Sequence, residues 1–121
     1  MVTNKKSYTI EGNKIIFDNS EITFDFPILQ TIEIEAILVV LLDVLGKSVY
    51  YNENVFGIDL LEEDVKWQIE KLKYLNEGRN QKCPFTSIIM YENMLRLNNW
   101  CDTYLIVDYN NGKIIDKGWT K

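Results

Sequence analysis

The apolar and polar positions of this chain alternate in short bursts, and one burst departs from that pattern. From Ala36 to Leu42 seven apolar residues follow one another. A strand sends successive side chains to opposite faces, so an unbroken apolar strand has both faces buried. Period alone does not separate such a run from a buried helix. The flanks do: Pro27 lies upstream, Asp43 and Gly46 downstream, and Ile and Val are frequent. A central strand is therefore expected. Thr31 to Glu35 alternates just before it, with Ile32 and Ile34 opposite Glu33 and Glu35. The chain is expected to run from this half-wet strand straight into the middle of a sheet.

The rest of the pattern is also of period two. Tyr8–Ile10 and Ile15–Phe17 flank Gly12-Asn13, a pair that tolerates positive φ and suits a hairpin. Ile22, Phe24 and Phe26 alternate with Glu21, Thr23 and Asp25. In Asn54–Asp59, Gly57 predicts a bulge or a close approach by a neighbour. Leu60–Asp64 reads as an acidic turn. Val65, Trp67 and Ile69 are then expected inside, with Lys66, Gln68 and Glu70 outside. Further strands are predicted at Phe85–Tyr91, Asn93–Trp100 and Tyr104–Asp108, and Asn111-Gly112 is the strongest hairpin signal. Nine or ten short strands with turns every eight to twelve residues predict one antiparallel all-β domain over residues 1–121, with 1–6 frayed.

Composition removes several functions. The 121 residues carry a net charge of −5 and no histidine. An acidic chain lacks the basic face of a nucleic-acid binder. Without histidine no Ser-His or Cys-His nucleophile pair can form within the chain, and the commonest zinc ligand is missing. No enzyme, metal or cofactor is expected. Cys83 and Cys101 could face each other across a hairpin. No export signal is visible and cytosolic thiols stay reduced, so a disulfide is not expected and Cys101 reads as a buried filler. The Ala36–Leu42 run is far shorter than the ~20 residues of a membrane helix. The expectation is a soluble, cytoplasmic protein.

Val55–Asp59 followed by Val65–Trp67 repeats, imperfectly, as Leu105–Asp108 followed by Lys113–Ile115. Locally, NVFGID and VKW resemble the blades of quinoprotein-type propellers. The chain holds fewer than three blades' length, so blade-like hairpins in a curled sheet, sandwich or partial barrel are expected, not a closed ring. From Phe26 to Lys117 the chain resembles a family of small acidic bacterial proteins. Some of its members sit beside polymorphic or contact-dependent toxins as immunity proteins. The matching positions are Asn54, Gly57, Asp59, Trp67, Gln68, Cys83-Pro84, Trp100, Asp108 and Gly112, which look like turn and packing residues. The usual glycine after the first Asp is absent, and Leu60–Asp64 replaces it.

What the resemblance implies is a toxin-binding protein that works by occlusion. Its cognate toxin domain, a nuclease by expectation, would offer a basic surface to this acidic one. Glu62, Glu63 and Asp64 are the candidate charges, and Tyr50, Tyr51 and Trp100 the candidate anchors. With Asp59 the same acids could hold calcium or magnesium, but their spacing does not fit the known loop; a solvated turn is the plainer reading. Glu33 and Glu35, on one strand face ~7 Å apart, could serve glycoside hydrolysis; exposed acids on an alternating strand are far commoner. Lys71, Lys73, Arg79 and Lys82 make a basic loop, which motivates the rival reading of a small-molecule or nucleotide-binding module. Open sheet edges motivate a third, an assembly subunit.

Overall fold

Ile37–Leu42 is a strand with every side chain buried, and the architecture explains why. The computed structural model describes residues 7–45, 51–71 and 83–119. They form eleven strands in three antiparallel sheets, none closed into a barrel. Sheet A joins β1 (Tyr8–Glu11), β2 (Lys14–Phe17) and β3 (Glu21–Thr23). Sheet B joins β4 (Ile28–Ile34), β5 (Ile37–Leu42), β6 (Val55–Asp59) and β7 (Asp64–Gln68). Sheet C joins β8 (Phe85–Tyr91), β9 (Met94–Asn99), β10 (Thr103–Val107) and β11 (Ile114–Trp119). Each sheet is a simple meander, as short connections dictate.

Sheet B is the middle layer. Ile37, Val39 and Leu41 face one way and join Trp67, Phe85, Leu97 and Leu105 in the core shared with sheet C. Leu38, Val40 and Leu42 face the other way and join Ile15, Phe17, Phe24 and Phe56 in the core shared with sheet A. Each such side chain contributes ~1.5–3 kcal/mol by leaving water. The apolar run thus reflects two cores, one on each side of a single strand.

The entry to that strand differs from expectation. The chain does not run straight from Thr31 to Leu42. It turns at Glu35 and Ala36, pairing Ile34 with Ile37, with Glu35 at φ 55°. Glu33 and Glu35 therefore share no strand face. Glu33 accepts the Tyr8 hydroxyl at 2.6 Å, and Glu35 accepts that of Tyr109 at 3.3 Å. Three layers form where the length of propeller blades allowed fewer than three units, because sheet A is a short meander of three strands within Tyr8–Thr23, beside two sheets of four. Val65, expected inside with Trp67, is exposed: a bulge between the Ile58–Val65 and Gly57–Trp67 pairs turns it to the opposite face, where no described strand lies over β7.

The cysteines are a second correction. Cys83 and Cys101 form a disulfide, with Cα atoms 5.4 Å apart. Asn99 brings them together: its amide donates to the Cys83 carbonyl and accepts from the Cys101 N–H, at 2.6 and 2.8 Å. Cys101 is a half-buried cross-link, not a filler.

Side-chain amides join sheets B and C. Asn54, fully buried, accepts from Phe85 N–H and donates to the carbonyls of Phe85 and Leu42, at 2.8, 2.9 and 2.9 Å. Gln30 does the same to Ile88, accepting its N–H at 3.0 Å and donating to its carbonyl at 2.6 Å. Both imitate the ladder bonds of a neighbouring strand and cap the edge of β8. Among the described residues no helix is long and apolar enough to cross a membrane.

Candidate functional site

In a chain of meanders, alternate turns fall at the same end. The turns β2–β3, β4–β5, β6–β7, β8–β9 and β10–β11 share one end of the stack. Contacts between sheets fix this alignment: Ser20 donates to Glu63 at 2.6 Å, and Tyr109 reaches Glu35. These five turns and their margins carry Asp18; Glu35; Asp59, Glu62, Glu63 and Asp64; Glu92; and Asp108. Lys113 is the one cation in these turns. An acidic rim on a three-layer stack results.

Local chemistry builds each turn. The Asp59 carboxylate accepts the N–H groups of Leu61 and Glu62 at 2.9 and 3.0 Å, an Asx turn. Glu63 then takes a left-handed conformation, φ 57°, and its N–H reaches the Asp59 carbonyl at 2.8 Å. This is how Leu60–Asp64 replaces the missing glycine. Asp108 plays the same part in β10–β11, where its carboxylate accepts Asn110 N–H at 2.8 Å. Glu92 and Asn93, at φ 50° and 64°, make a two-residue hairpin turn. Asp59 and Asp108 are therefore engaged in turn geometry, and Glu63 in its bond to Ser20. Glu62 and Asp64 are exposed. Among the described residues no group of three or more acids or cysteines is placed to hold a metal ion.

The residues singled out from the sequence do not all converge. Glu62, Glu63 and Asp64 lie together on the acidic rim. Tyr51 precedes β6 at the opposite end, stacked on Phe26 with ring centroids 5.3 Å apart. Its hydroxyl accepts from Gln68 at 3.2 Å. Burial first, then the Asp25 charge, raises its pKa. Trp100 is 61% exposed in the β9–β10 turn, also at that far end, where its N–H reaches the Pro84 carbonyl. Lys71 is exposed just after β7. Tyr50, Lys73, Arg79 and Lys82 lie outside the described residues. The acidic site and the aromatic anchors are thus separate surfaces.

Glu35, Glu92, Asp18 and Asp108 were not among the candidate charges. For Asp18, Glu92 and Asp108 the signal was present, since each sits at a predictable turn and counting turns by parity places them with Glu62–Asp64; Glu35 sits at a turn the sequence does not mark.

Fold and surface together define a disulfide-linked all-β module of three stacked meanders, with an acidic rim at the end that holds the β6–β7 turn. The chain belongs to the family described as Domain of unknown function (DUF7957), whose model matches residues 5–119. No curated protein and no solved structure matches it.

Proposed function

We propose that this protein is a non-catalytic binding protein whose acidic end docks a basic protein surface. The resemblance read in the sequence makes a toxin domain the favoured partner, neutralised by occlusion. The observation that carries the reading is the convergence of five turns, with eight acids and one lysine between them, on one end. Like charges gathered on one surface raise the local potential and speed encounter with a cationic partner. The effect fades beyond a Debye length of about 8 Å at physiological salt. Glu62, Asp64 and Glu92 are its most available charges. Tyr51 and Trp100 face other surroundings and are not part of this contact.

The disulfide bears on the compartment. Cytosolic thiols stay reduced, so Cys83–Cys101 favours an oxidising compartment over the cytoplasm. A nuclease target belongs to the cytoplasm, so the partner is better described by its basic surface than by nuclease activity.

Co-expression with a candidate toxin domain taken from the neighbourhood of its gene tests the reading. Cells should survive with the wild-type protein and die with a Glu62→Lys, Asp64→Lys, Glu92→Lys variant that still folds. Equal survival with both proteins would remove the acidic end from the interface. Equal death would remove toxin binding altogether.

A further inference from the structure

Sheet A has three strands and lies on a sheet of four. Tyr8 of β1 reaches Glu33 of β4, and Phe24, just past β3, packs on Phe56 of β6 with ring centroids 5.0 Å apart. β3 therefore lies over β6, and among the described residues no strand lies above the same face of β7. Val65 is 45% exposed there. A cavity of about 300 Å3 opens beside it, floored by Phe56 and Val65, walled by Ile22 and Phe24, and ended by Tyr51. The ledge has the shape left by one missing strand.

The backbone beside the ledge is open. Phe24 N–H donates to the Asn13 carbonyl and Phe17 N–H to the Ser20 carbonyl, both at 2.8 Å. Residues 20, 22 and 24 thus turn their backbone groups toward β2. By the alternation of an antiparallel ladder, Glu21 and Thr23 turn theirs outward, and Asp25 follows in the bend just past β3. Among the described strands none pairs with that edge. The edge of β8, by contrast, is capped by Gln30 and Asn54.

We propose that the β3 edge is a strand-addition site, where an extended segment of a protein partner pairs as the fourth strand of sheet A. A strand added ~4.8 Å from β3 sits above β7. Its downward side chains enter the ledge, so they are apolar. Its upward side chains lie beside Glu21, Thr23 and Asp25. Lys14 pairs with Glu21 at 3.3 Å, while Asp25 has no ion-pair partner among the described residues. Opposite charges across a strand pair are favoured, so the upward positions are basic. The partner segment therefore alternates apolar and basic residues. This surface lies on the flank of the stack, apart from the acidic rim, and the inference does not require a toxin as partner.

A soluble peptide of alternating valine and lysine is the probe, and amide exchange by NMR is the readout. The peptide should slow exchange at Glu21 and Thr23 by ~10-fold or more, and shift the Val65 methyl signals. Thr23→Pro removes an outward N–H without touching the β2–β3 bonds and should abolish both effects. Val65→Lys, which puts a cation on the ledge floor, should do the same if the proline variant fails to fold. Protection at another edge, or none, overturns the site. Equal protection by a valine–glutamate peptide overturns the basic half of the pattern. Protection here with no toxin rescued, or rescue unaffected by Val65→Lys, separates this inference from the proposed function.

Discussion

Gly57 stands directly opposite Trp67 across the β6–β7 pair, and the indole fills the space a side chain at 57 would need. A Cβ on Gly57 would lie 2.1 Å from Trp67 Nε1, and one on Gly112 would lie 2.7 Å from the same ring. The ring is held between a strand glycine of sheet B and a turn glycine of sheet C. Its N–H donates to the Tyr109 carbonyl at 2.7 Å. One tryptophan therefore ties β7 to the β10–β11 turn.

Gly57→Ala should displace that ring and cost ~1–3 kcal/mol by overpacking, with the Tyr109 bond lost in addition. Gly12→Ala is the control. Gly12 has φ 59° and open space around it, so only the left-handed backbone penalty of ~1–2 kcal/mol applies. Urea midpoints compare the two. A Gly57→Ala loss no larger than that of Gly12→Ala, with unchanged tryptophan fluorescence, would mean the ring has room to move.

Asn54 is the second place where one side chain joins two sheets. Asn54→Ala leaves Phe85 N–H, Phe85 carbonyl and Leu42 carbonyl without their partner in a dry site. Each unsatisfied group costs ~1–3 kcal/mol, so a total loss above ~3 kcal/mol is expected. Asn54→Asp keeps the acceptor for Phe85 N–H and loses both donations. Its destabilisation should be as severe, because a carboxylate then faces two carbonyls. Denaturant unfolding of both variants checks this, and a mild Asn54→Asp phenotype would show that water replaces the amide.

Period-two alternation made the strands legible, and the run Ile37–Leu42 announced a doubly covered sheet. Gly57 was legible as a close approach, and Trp67 as the core side of its strand. The Glu35-Ala36 turn was not, because Ala36 extends the apolar run and Glu35 takes a left-handed conformation without a glycine or asparagine to mark it. The exposure of Val65 was not, because a bulge between the Ile58–Val65 and Gly57–Trp67 pairs turns Val65 to the face opposite Trp67, which alternation cannot foresee. The disulfide was set aside on an argument about compartment, while the asparagines that position it, Asn99 at the end of β9 and Asn52 in the segment before β6, carry no pattern of their own. The acidic rim was half legible: the charges of one turn were visible, but gathering five turns needs the meander topology.

Tyr8 makes the alkaline limb of stability testable. Its hydroxyl donates to Glu33, and burial first, then that bond and the carboxylate charge, push its pKa from 10.0 up to about 12. The folded state keeps the proton that the unfolded chain releases near pH 10. The contribution is complete below pH 10 and is lost as pH rises towards about 12. Tyr8→Phe has no such proton. The stability difference between wild type and Tyr8→Phe should therefore be flat below pH 10 and shrink above it. A difference that stays constant through this window would show that Glu33 does not hold the phenol.

The disulfide closes 18 positions of chain between the start of β8 and the β9–β10 turn. A loop of this length gains ~3 kcal/mol from a cross-link, chiefly by restricting the unfolded chain. Asn99 holds the two backbones together without help from sulfur, and Asn52 accepts the Cys83 N–H at 2.8 Å. The native geometry should therefore survive loss of the bond, and the cost should appear in stability alone. A Cys83→Ala, Cys101→Ala variant is expected to fold with unchanged circular dichroism and to unfold ~3 kcal/mol more easily. Reductant should bring the wild type toward that level and leave the variant unmoved. Cys83 is fully buried, so reduction should proceed through unfolding and quicken as denaturant is added. Wild-type protein whose unfolding midpoint ignores reductant even after prolonged incubation in denaturant would lack the cross-link, and the case for an oxidising compartment would go with it.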